Sequence, residues 1–424
     1  MKMKQIHLTM SQVEDLSMSH FEPGWVLQRR QLMAEQLDTL GMPKIERAKI
    51  HRWDAFQGTL APCTEIDDRV FSFATNDKHA LLVQQEDQTT VEQLAVEDQE
   101  KGIVVTDLET AISDYPQLMM EYFLNQAPKN LVEAYHNAVT TSGAVIYIPK
   151  GVQVEQPIEL HFFQSSQSDR FFSKQVIVIA EENSSVEVTA YHQPLDQTKG
   201  QARSFSVQTT IFAKSGACVQ YTAFDEYGEA MTGFIERKAY VARDAHVDWT
   251  IAAMNHGKAA YHLYTELNES GATSDSRMMA ISDGVSEQVV EINTQNKSAH
   301  TIGHILQHGI VQDKGQVIFN GIGKIHQGAN GAEAIQKSRI LMMSEHGRGD
   351  ANPILLIEHD DVKANHAASI GQLNEEDIYY LMSRGLTQHM AERIVARGFL
   401  EPVVQSANQD IQDELWSMIN RKLA

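Results

Sequence analysis

Three histidines four residues apart are the residues whose spacing most suggests chemistry: His300, His304 and His308. On a helix this spacing would place the imidazoles on one face, where neutral ring nitrogens could bind a metal ion. On a strand the even spacing also gives one face, but the histidines would then spread over ~27 Å at ~3.3 Å per residue. They could converge only if the chain turned between them. We therefore expect structural roles for these histidines.

The chain has two cysteines, Cys63 and Cys218. That number excludes a disulfide framework and any site that needs four thiolates from one chain, and it suits a reducing cytosol. Cys63 lies in a loop-like stretch without a histidine nearby, and Cys218 is out of phase with the apolar residues Val219 and Tyr221. Each thiol is expected to be a small, partly buried hydrophobe.

Motifs of the common catalytic classes are absent from the sequence. There is no P-loop, H-E-x-x-H, C-x-x-C or G-x-S-x-G pattern, and the segment 321–324 lacks the first glycine and the hydroxyl of a P-loop. His366 is expected to follow the last β segment, and a lone histidine is more often structural than functional. The residues alone therefore reveal no catalytic set.

The charge balance narrows the classes of partner. The 424 residues include 35 Lys and Arg against 56 Asp and Glu, a net charge of −21, which argues against binding nucleic acid. No stretch has the ~18 uninterrupted apolar residues of a membrane-spanning helix, and no apolar core of a signal peptide follows the first residues. We therefore expect a cytoplasmic protein without a membrane partner. The acidic run 84–100 is expected to be a solvent-facing surface or a mobile loop.

The elements that must position these residues change in type along the chain. The first part mixes helical and irregular signals, with helices expected from about residue 24 to the stop at Gly41 and from 118 to 131. From about residue 140, short period-2 segments alternate with turn clusters over roughly 230 residues, which indicates an all-β body. The loose repeat favours a solenoid slightly over a sandwich.

After Gly371 the pattern becomes helical. Asn374 is placed to cap one helix, Thr387 a second that ends at Gly398, and an apolar stripe from Ile411 to Leu423 predicts a third. The predicted domains are therefore an N-terminal helical and mixed domain at 1–138, a β core at 139–371 and a C-terminal helical domain at 372–424.

Several segments resemble the SufB/SufD family. The most specific is the C-terminal stretch ILLIEHDDVKANHAASIGQLNEEDIYYLMSRG at 354–385. Supporting matches are YIPKGV at 147–152 with QPI at 156–158, VIFNG at 317–321, EPGW at 22–25 and LGMP at 40–43. The short length, the two cysteines and the segment around Trp25 resemble SufD members rather than SufB members.

The resemblance implies a mainly β fold, a right-handed parallel β-helix flanked by N-terminal and C-terminal helical domains. It also implies a non-catalytic subunit of the SufB–SufC–SufD complex, which supports iron–sulfur cluster assembly. His366 matches a family position associated with cluster assembly at the SufB interface, whereas Ala364 stands where many relatives have cysteine. The cofactor implied is an iron–sulfur cluster or iron, held transiently and shared with SufB, with none expected on the isolated chain.

The implied partners are a SufB-like subunit and a SufC-like ATPase, with a homodimer in isolation. The dock for the ATPase is expected on the helical tail, at Ile378, Tyr379, Leu381 and Met382. Two alternatives stay open: a structural homodimeric β-helix protein that only stabilises the ATPase, and a stand-alone carbohydrate-active β-helix enzyme. The enzyme would need paired carboxylates on one groove, and Asp360 and Asp361, expected on opposite faces of a strand, make a poor pair.

Overall fold

The computed structural model describes residues 8–73, 80–196, 200–405 and 407–423. Its centre is a parallel β-solenoid whose consecutive strands alternate between two facing sheets. Sheet 1 has the order β2-β1-β5-β7-β9-β11-β13-β15-β17-β19, and sheet 2 the order β3-β4-β6-β8-β10-β12-β14-β16-β18. One strand from each sheet makes a rung, so the sixteen strands β4 to β19 form about eight rungs. The prediction of a parallel β-helix is confirmed.

The strands of sheet 1 are β1 (Leu81–Gln85), β2 (Gln88–Gln93), β5 (Ile158–Gln164), β7 (Ser185–Pro194), β9 (Cys218–Asp225), β11 (His246–Ala253), β13 (Thr273–Ser282), β15 (Ile302–Val311), β17 (Glu333–Met342) and β19 (Lys363–Gln372). Those of sheet 2 are β3 (Val104–Asp107), β4 (Gly143–Ile148), β6 (Phe172–Ala180), β8 (Arg203–Ala213), β10 (Met231–Val241), β12 (Lys258–Leu267), β14 (Glu287–Asn296), β16 (Gln316–Ile325) and β18 (Arg348–Ile357). Pairing is parallel throughout the solenoid, and only the first hairpin β1–β2 and the pair β3–β4 are antiparallel among the described strands.

Alternation along each strand fills the space between the sheets, here called the lumen. On β9, for example, Val219, Tyr221 and Ala223 are buried in the main apolar core, whereas Cys218 starts the opposite face. Because parallel register puts the same phase of each strand on the same face, the lumen side chains of successive rungs stack into one continuous core. The period-2 pattern of the sequence is thus the pattern of lumen burial.

The N-terminal helices are α1 (Met10–Ser19), α2 (Gly24–Ala34), α3 (Val96–Glu100), α4 (Leu108–Asp114), α5 (Pro116–Tyr122) and α6 (Leu131–Val139), with 3-10 turns at Ile50–Arg52 and Asp68–Phe73. Helix α2 ends at Ala34, well before Gly41. The single helix expected over 118–131 is wrong, because α5 ends at Tyr122 and Asn130 caps a new helix through hydrogen bonds to its side-chain oxygen.

The acidic run 84–100 has two parts: its end, helix α3, has no buried residue and faces solvent as expected, whereas its beginning is buried. Glu86, at the β1–β2 turn, is paired with Arg203 at 2.9 Å, and both side chains are at most 3% exposed. Asp87 makes two hydrogen bonds of 2.8 Å to Arg170. For these two residues the expectation was wrong, because the neutralising arginines lie 83 and 117 residues further along the chain. Only folding brings them to this turn.

The C-terminal helices are α7 (Glu375–Ser383), α8 (Gln388–Val404) and α9 (Gln409–Lys422). The last two cover the outer face of sheet 1 through an apolar cluster that contains Leu400 and Leu415 from the helices and Phe224 and Ile310 from the sheet. The stripe predicted for the final helix is confirmed, since all its members from Ile411 to Leu423 are buried there. Helix α8 continues past Gly398, contrary to prediction, because packing on the sheet outweighs the ~1 kcal/mol cost of a helical glycine.

The domain boundaries at 138/139 and 371/372 stay a prediction. Helix α6 ends at Val139 and β19 ends at Gln372, but strands β1 and β3 of the N-terminal part pair with β5 and β4 of the solenoid. Among the described helices, none combines the length and apolar character needed to cross a membrane.

Candidate functional site at the open end of the solenoid

The last rung, formed by β18 and β19, leaves one end of the solenoid open. Each strand is the outermost of its sheet and pairs with a neighbour on one side only, β16 for β18 and β17 for β19. Nine of the ten residues of β19 are exposed. Edge strands of this kind present unpaired N–H and C=O groups to another chain. The open end is therefore a surface at which a second polypeptide could add strands.

His366 lies within β19 and faces the open lumen. Its register partner on β17 is Gln336, and the phase that contains Gln336, Ser338 and Ile340 is the buried, lumen-facing one. The prediction that His366 follows the last strand is wrong, since β19 extends from Lys363 to Gln372. This strand has little apolar alternation because no rung lies beyond it to bury its side chains. Its imidazole is exposed and available to a ligand.

Ala364 faces the same side as His366, ~6.6 Å away along the strand. It packs at the edge of a small apolar cluster that includes Ala334, Leu355 and Val362. It offers a methyl group and no donor atom. Within the described residues, no group of three or more His, Cys, Asp and Glu side chains is arranged to hold a metal ion. The chemistry that this end can supply from the predicted set is therefore one imidazole.

The open end also exposes apolar side chains. Ile357 and Ile370 share the lumen-facing phase of β18 and β19, and they are 47% and 48% exposed. In the preceding rungs this phase is buried in the core, for example at Ile340. The open end thus combines apolar surface with one exposed nitrogen ligand, which is a chemistry suited to a buried interface.

The histidines at 300, 304 and 308 do not converge. His300 is in the turn before β15, His304 bridges Asp275 at 3.2 Å and Glu333 at 3.0 Å on the outer face, and His308 donates to the Phe399 carbonyl at 2.7 Å. The hydrogen bond to Asp275, followed by that to Glu333, raises the pKa of His304, whereas burial lowers the pKa of His308. The rings of His304 and His308 are each hydrogen-bonded to different neighbours, in keeping with the structural roles expected.

The two cysteines are free and partly buried. Cys63 lies outside helices and strands, where its backbone N–H donates to Asp87 at 3.0 Å, and Cys218 begins β9. Burial raises the pKa of both thiols. Cys218 lies five strands from β19 in sheet 1, ~24 Å at ~4.8 Å per strand. Cys218 therefore cannot complete a site at His366.

Helix α7, directly after β19, has no buried residue. Of the predicted dock, Tyr379 is 75% and Met382 43% exposed, while Ile378 and Leu381 are half-buried. Asn374 caps the helix by accepting a hydrogen bond from the Glu376 N–H. An exposed apolar helix face beside the open end is a suitable surface for a partner.

The comparisons with known proteins agree with this geometry. Residues 162–399, from β5 to α8, match the model of the SufBD core domain of the SUF system for FeS cluster assembly. Residues 73–160 match the model of the SufBD protein N-terminal region. The chain belongs to the SufB/SufD family. The resemblance predicted from the sequence is confirmed, and the SufBD core includes the whole of the last rung.

One relative places the chain among the SufD-like members of the SufB/SufD family, and a second agrees with the family as a whole. It is 34% identical over 428 residues to the iron-sulfur cluster assembly protein SufD of Bacillus subtilis (strain 168), with 97% of each chain covered. It is 24% identical over 339 residues to an iron-sulfur cluster assembly SufBD family protein of Staphylococcus epidermidis, covering 79% of this chain and 72% of the relative. The protein is thus a SufD-like member of an iron–sulfur cluster assembly family.

The SufB/SufD signature at 354–385 builds the open end itself. It spans the end of β18, the turn that holds Asp360 and Asp361, all of β19 and helix α7. The two aspartates lie in this turn rather than on opposite faces of a strand, which corrects the expectation for them. The signature therefore contains both the exposed imidazole and the exposed helix.

Sequence reasoning missed two buried glutamines in the lumen behind His366. Gln307 and Gln336 are 0% and 1% exposed, and they lie on β15 and β17. The signal that could have revealed them is on the facing strand β16. Gly321 and Gly323 share the lumen phase there, and their missing side chains leave room for the two amides.

Proposed function

We propose that this chain is a non-catalytic subunit of a cytoplasmic SufB–SufC–SufD complex and supports iron–sulfur cluster assembly at the open end of its solenoid. The observation that carries the proposal is His366, an exposed imidazole on an uncapped rung that also exposes apolar side chains. An imidazole in that position can bind a cluster once a second subunit covers the open end and supplies the other ligands. The cargo is an iron–sulfur cluster or iron, held transiently between this chain and a SufB-like subunit.

The need for a second subunit follows from ligand chemistry. Iron–sulfur clusters are held by thiolates, with imidazole able to replace some of them. Ala364 has no donor atom and Cys218 lies ~24 Å away in sheet 1, so His366 is the one ligand that we assign to this chain. The isolated chain is accordingly expected to retain no cluster. The remaining ligands, thiolates above all, come from the SufB-like subunit.

Strand addition is the mode of association that the open end supports. The free edges of β18 and β19 offer backbone hydrogen bonds, and Ile357 and Ile370 offer apolar area. A SufB-like solenoid with a similar last rung would bury both. In isolation the same edges pair with a second copy of this chain, which gives a homodimer.

The SufC-like ATPase docks on helix α7 in this proposal. The chain has no P-loop, so the energy-coupling step belongs to a partner. Tyr379 and Met382 are exposed on a helix that follows β19 directly. An amphipathic helix that enters a partner groove uses anchors at this i, i+3 spacing. The ATPase would then lie beside the rung that holds the cluster.

The experiment compares His366→Ala with His346→Ala, an exposed histidine in the turn before β18. Each variant is co-expressed with the SufB-like and SufC-like subunits, and the purified complex is reconstituted with iron and sulfide. We expect unchanged assembly and thermal unfolding in both variants. Cluster content should fall only in the His366 variant, since even indirect changes at metal sites cost ~10–100-fold in affinity.

The outcomes separate this proposal from its alternatives. Unchanged iron and sulfide content in the His366 variant would contradict a cluster role and favour a subunit that only stabilises the ATPase. Loss of folding would assign His366 a structural role. Failure to form any complex with the two partners would contradict subunit membership as a whole.

A further inference from the structure

Two buried glutamines lie beneath the open end of the solenoid, on lumen-facing positions of β15 and β17. Apolar side chains such as Phe319 and Ile340 fill much of the lumen, although earlier rungs also bury polar side chains there, as at Arg237. Beyond these, the lumen phase of β15 and β17 carries Gln307, Gln336 and Ser338, all buried. A buried amide needs hydrogen-bond partners, so each of its atoms can be accounted for.

The amide of Gln336 is held at one end and free at the other. Its NH₂ group donates to the Ile354 carbonyl on β18 at 2.8 Å, whereas its oxygen has no hydrogen-bond partner among the described residues. The bond to β18 fixes which end of the amide is the oxygen. An unused acceptor that is buried costs ~1–3 kcal/mol. This cost disappears if a further N–H or O–H group donates a hydrogen bond to the Gln336 oxygen.

Two glycines of β16 leave the space that this amide occupies. A Cβ added to Gly321 would lie 2.9 Å from the Gln336 oxygen, and one added to Gly323 would lie 2.6 Å from the nitrogen. Any larger residue would displace the amide. The VIFNG segment at 317–321 therefore has a physical role here, since its glycine gives room to the glutamine.

His366 is the neighbour in register. It pairs with Gln336 across β17 and β19, and both belong to the lumen-facing phase. Gln307, the other candidate donor, is in register with Ser338 and accepts a hydrogen bond from that hydroxyl at 2.8 Å. Its NH₂ group has no hydrogen-bond partner among the described residues, so a Gln307 variant is needed to distinguish the two donors. Side chains in register on parallel strands lie ~4.8 Å apart, within reach of a hydrogen bond between long polar groups.

We infer that Gln336 is a positioning residue for His366, accepting a hydrogen bond from one ring N–H through its side-chain oxygen. The inference rests on the proposed role of His366 as an iron ligand. A neutral imidazole has one N–H and one lone-pair nitrogen, and the partner of the N–H determines which nitrogen faces the metal. Gln336 would thus select the tautomer and hold the ring with its free nitrogen toward the covering subunit.

The first test measures the tautomer in the full-length isolated chain by NMR of ¹⁵N-labelled histidine, with the His366 signals assigned from His366→Ala. We expect one dominant tautomer in the unmodified chain and a mixture in Gln336→Leu, which removes the acceptor at similar volume. The matched control Gln307→Leu should resemble the unmodified chain.

The second test measures iron and sulfide in the reconstituted complex with the SufB-like and SufC-like subunits. Gln336→Leu should lower iron affinity ~10–100-fold, and Gln307→Leu should leave it unaltered. If Gln336→Leu does not fold, Gly323→Ala displaces the same amide without altering the glutamine and should give the same mixture of tautomers.

The failure of this inference differs from the failure of the proposed function. Unaltered tautomers in Gln336→Leu would overturn the positioning role, whatever the cluster content. A change of the same size in Gln307→Leu would also overturn it, because the amide would then act through the lumen as a whole. A tautomer change in Gln336→Leu, together with unaltered cluster content in His366→Ala, would support the hydrogen bond but contradict the cluster role.

Discussion

Asp225 and Arg237 face each other across the lumen and form two hydrogen bonds of 2.8 Å, with both side chains at most 2% exposed. Asp225 ends β9 in sheet 1 and Arg237 lies in β10 of sheet 2, so the pair connects the two sheets. A buried pair of this kind adds little over an apolar contact of the same shape, but removing one partner leaves an uncompensated charge. The lumen is therefore sensitive to single changes here.

We predict that Arg237→Met destabilises the protein by about 3–5 kcal/mol, because Asp225 then remains buried without its cation. Asp225→Leu combined with Arg237→Met should recover much of that loss. Urea unfolding followed by circular dichroism measures both. Lys258→Met, at an exposed pair with Glu287, is the control and should change stability little. Equal losses in the single and double variants would contradict this explanation.

A second prediction concerns His192, the register neighbour of Asp225. It is fully buried, and neither ring nitrogen has a hydrogen-bond partner among the described residues. Burial, only partly opposed by Asp225, lowers its pKa to about 3. Below pH ~6.5 the ring is therefore protonated in the unfolded chain, whereas in the folded chain it stays neutral down to pH ~3. The contribution of His192 to the free energy of unfolding is therefore fully present above pH ~6.5, and it is lost as the pH decreases toward 3.

This histidine should account for about 2 kcal/mol of stability lost between pH 6.5 and pH 5. In His192→Gln the loss over the same interval should shrink by about that amount, as measured by urea unfolding at the two pH values. His346→Gln, in an exposed turn, should leave the pH dependence unaltered. An identical pH profile for His192→Gln and the unmodified chain would show that the ring is not kept neutral by burial.

A third prediction tests the structural role of His300. Its φ of 57° is in the left-handed region, and its ring lies over Gly331, itself at φ 69°, where an added Cβ would approach the Nδ1 atom to 2.6 Å. Gly331→Ala should therefore destabilise the protein by about 1–3 kcal/mol. Thermal unfolding measures the loss, which should be smaller in His300→Gly/Gly331→Ala. Gly371→Ala, with open space around it, should be neutral.

The sequence predicted the parts of the fold in which burial repeats. The alternation on β7, β9 and β11 is visible because one face of each strand fills the lumen. The same reasoning failed for β19, whose lumen face has nothing to cover it, and this is the strand that carries His366. A functional end is difficult to predict from burial because it is the part of the solenoid left unburied.

Long-range contacts explain the other errors. Glu86 is paired with an arginine 117 residues later, so the acidic run around it lacks any local sign of neutralisation. Helix α8 passes through Gly398 because sheet 1 lies against it. The assignment of His366 itself came from family resemblance, since one imidazole without nearby ligands has no distinctive spacing.

The fourth prediction concerns the free edge of the last rung. Ile370 faces the open lumen and is 48% exposed, so a homodimer through this end would bury it. We expect Ile370→Lys to convert the isolated chain to a monomer, as measured by sedimentation velocity, because an ammonium group cannot be buried unpaired. Val285→Lys, 66% exposed in a turn, is the control and should leave the dimer intact. Dimers in both variants would place the contact elsewhere.

The fifth prediction separates helix α7 from the last rung. Tyr379→Ala with Met382→Ala removes the two most exposed side chains of the predicted dock, while no described residue of this helix is buried, so the fold should be retained. If they anchor the SufC-like ATPase, their loss should cost about 2 kcal/mol or more, which is ~30-fold in affinity. Titration calorimetry with the purified ATPase measures this.

Phe21→Ala is the matched control for helix α7, since Phe21 is a 90% exposed aromatic residue in the N-terminal part of the chain. It should bind the ATPase like the unmodified protein. Binding of the SufB-like subunit should be normal in all these variants, because strand addition at β18 and β19 does not use Tyr379 or Met382. Loss of both partners together would mean that α7 supports the open end, and full affinity for the ATPase would exclude α7 as its dock.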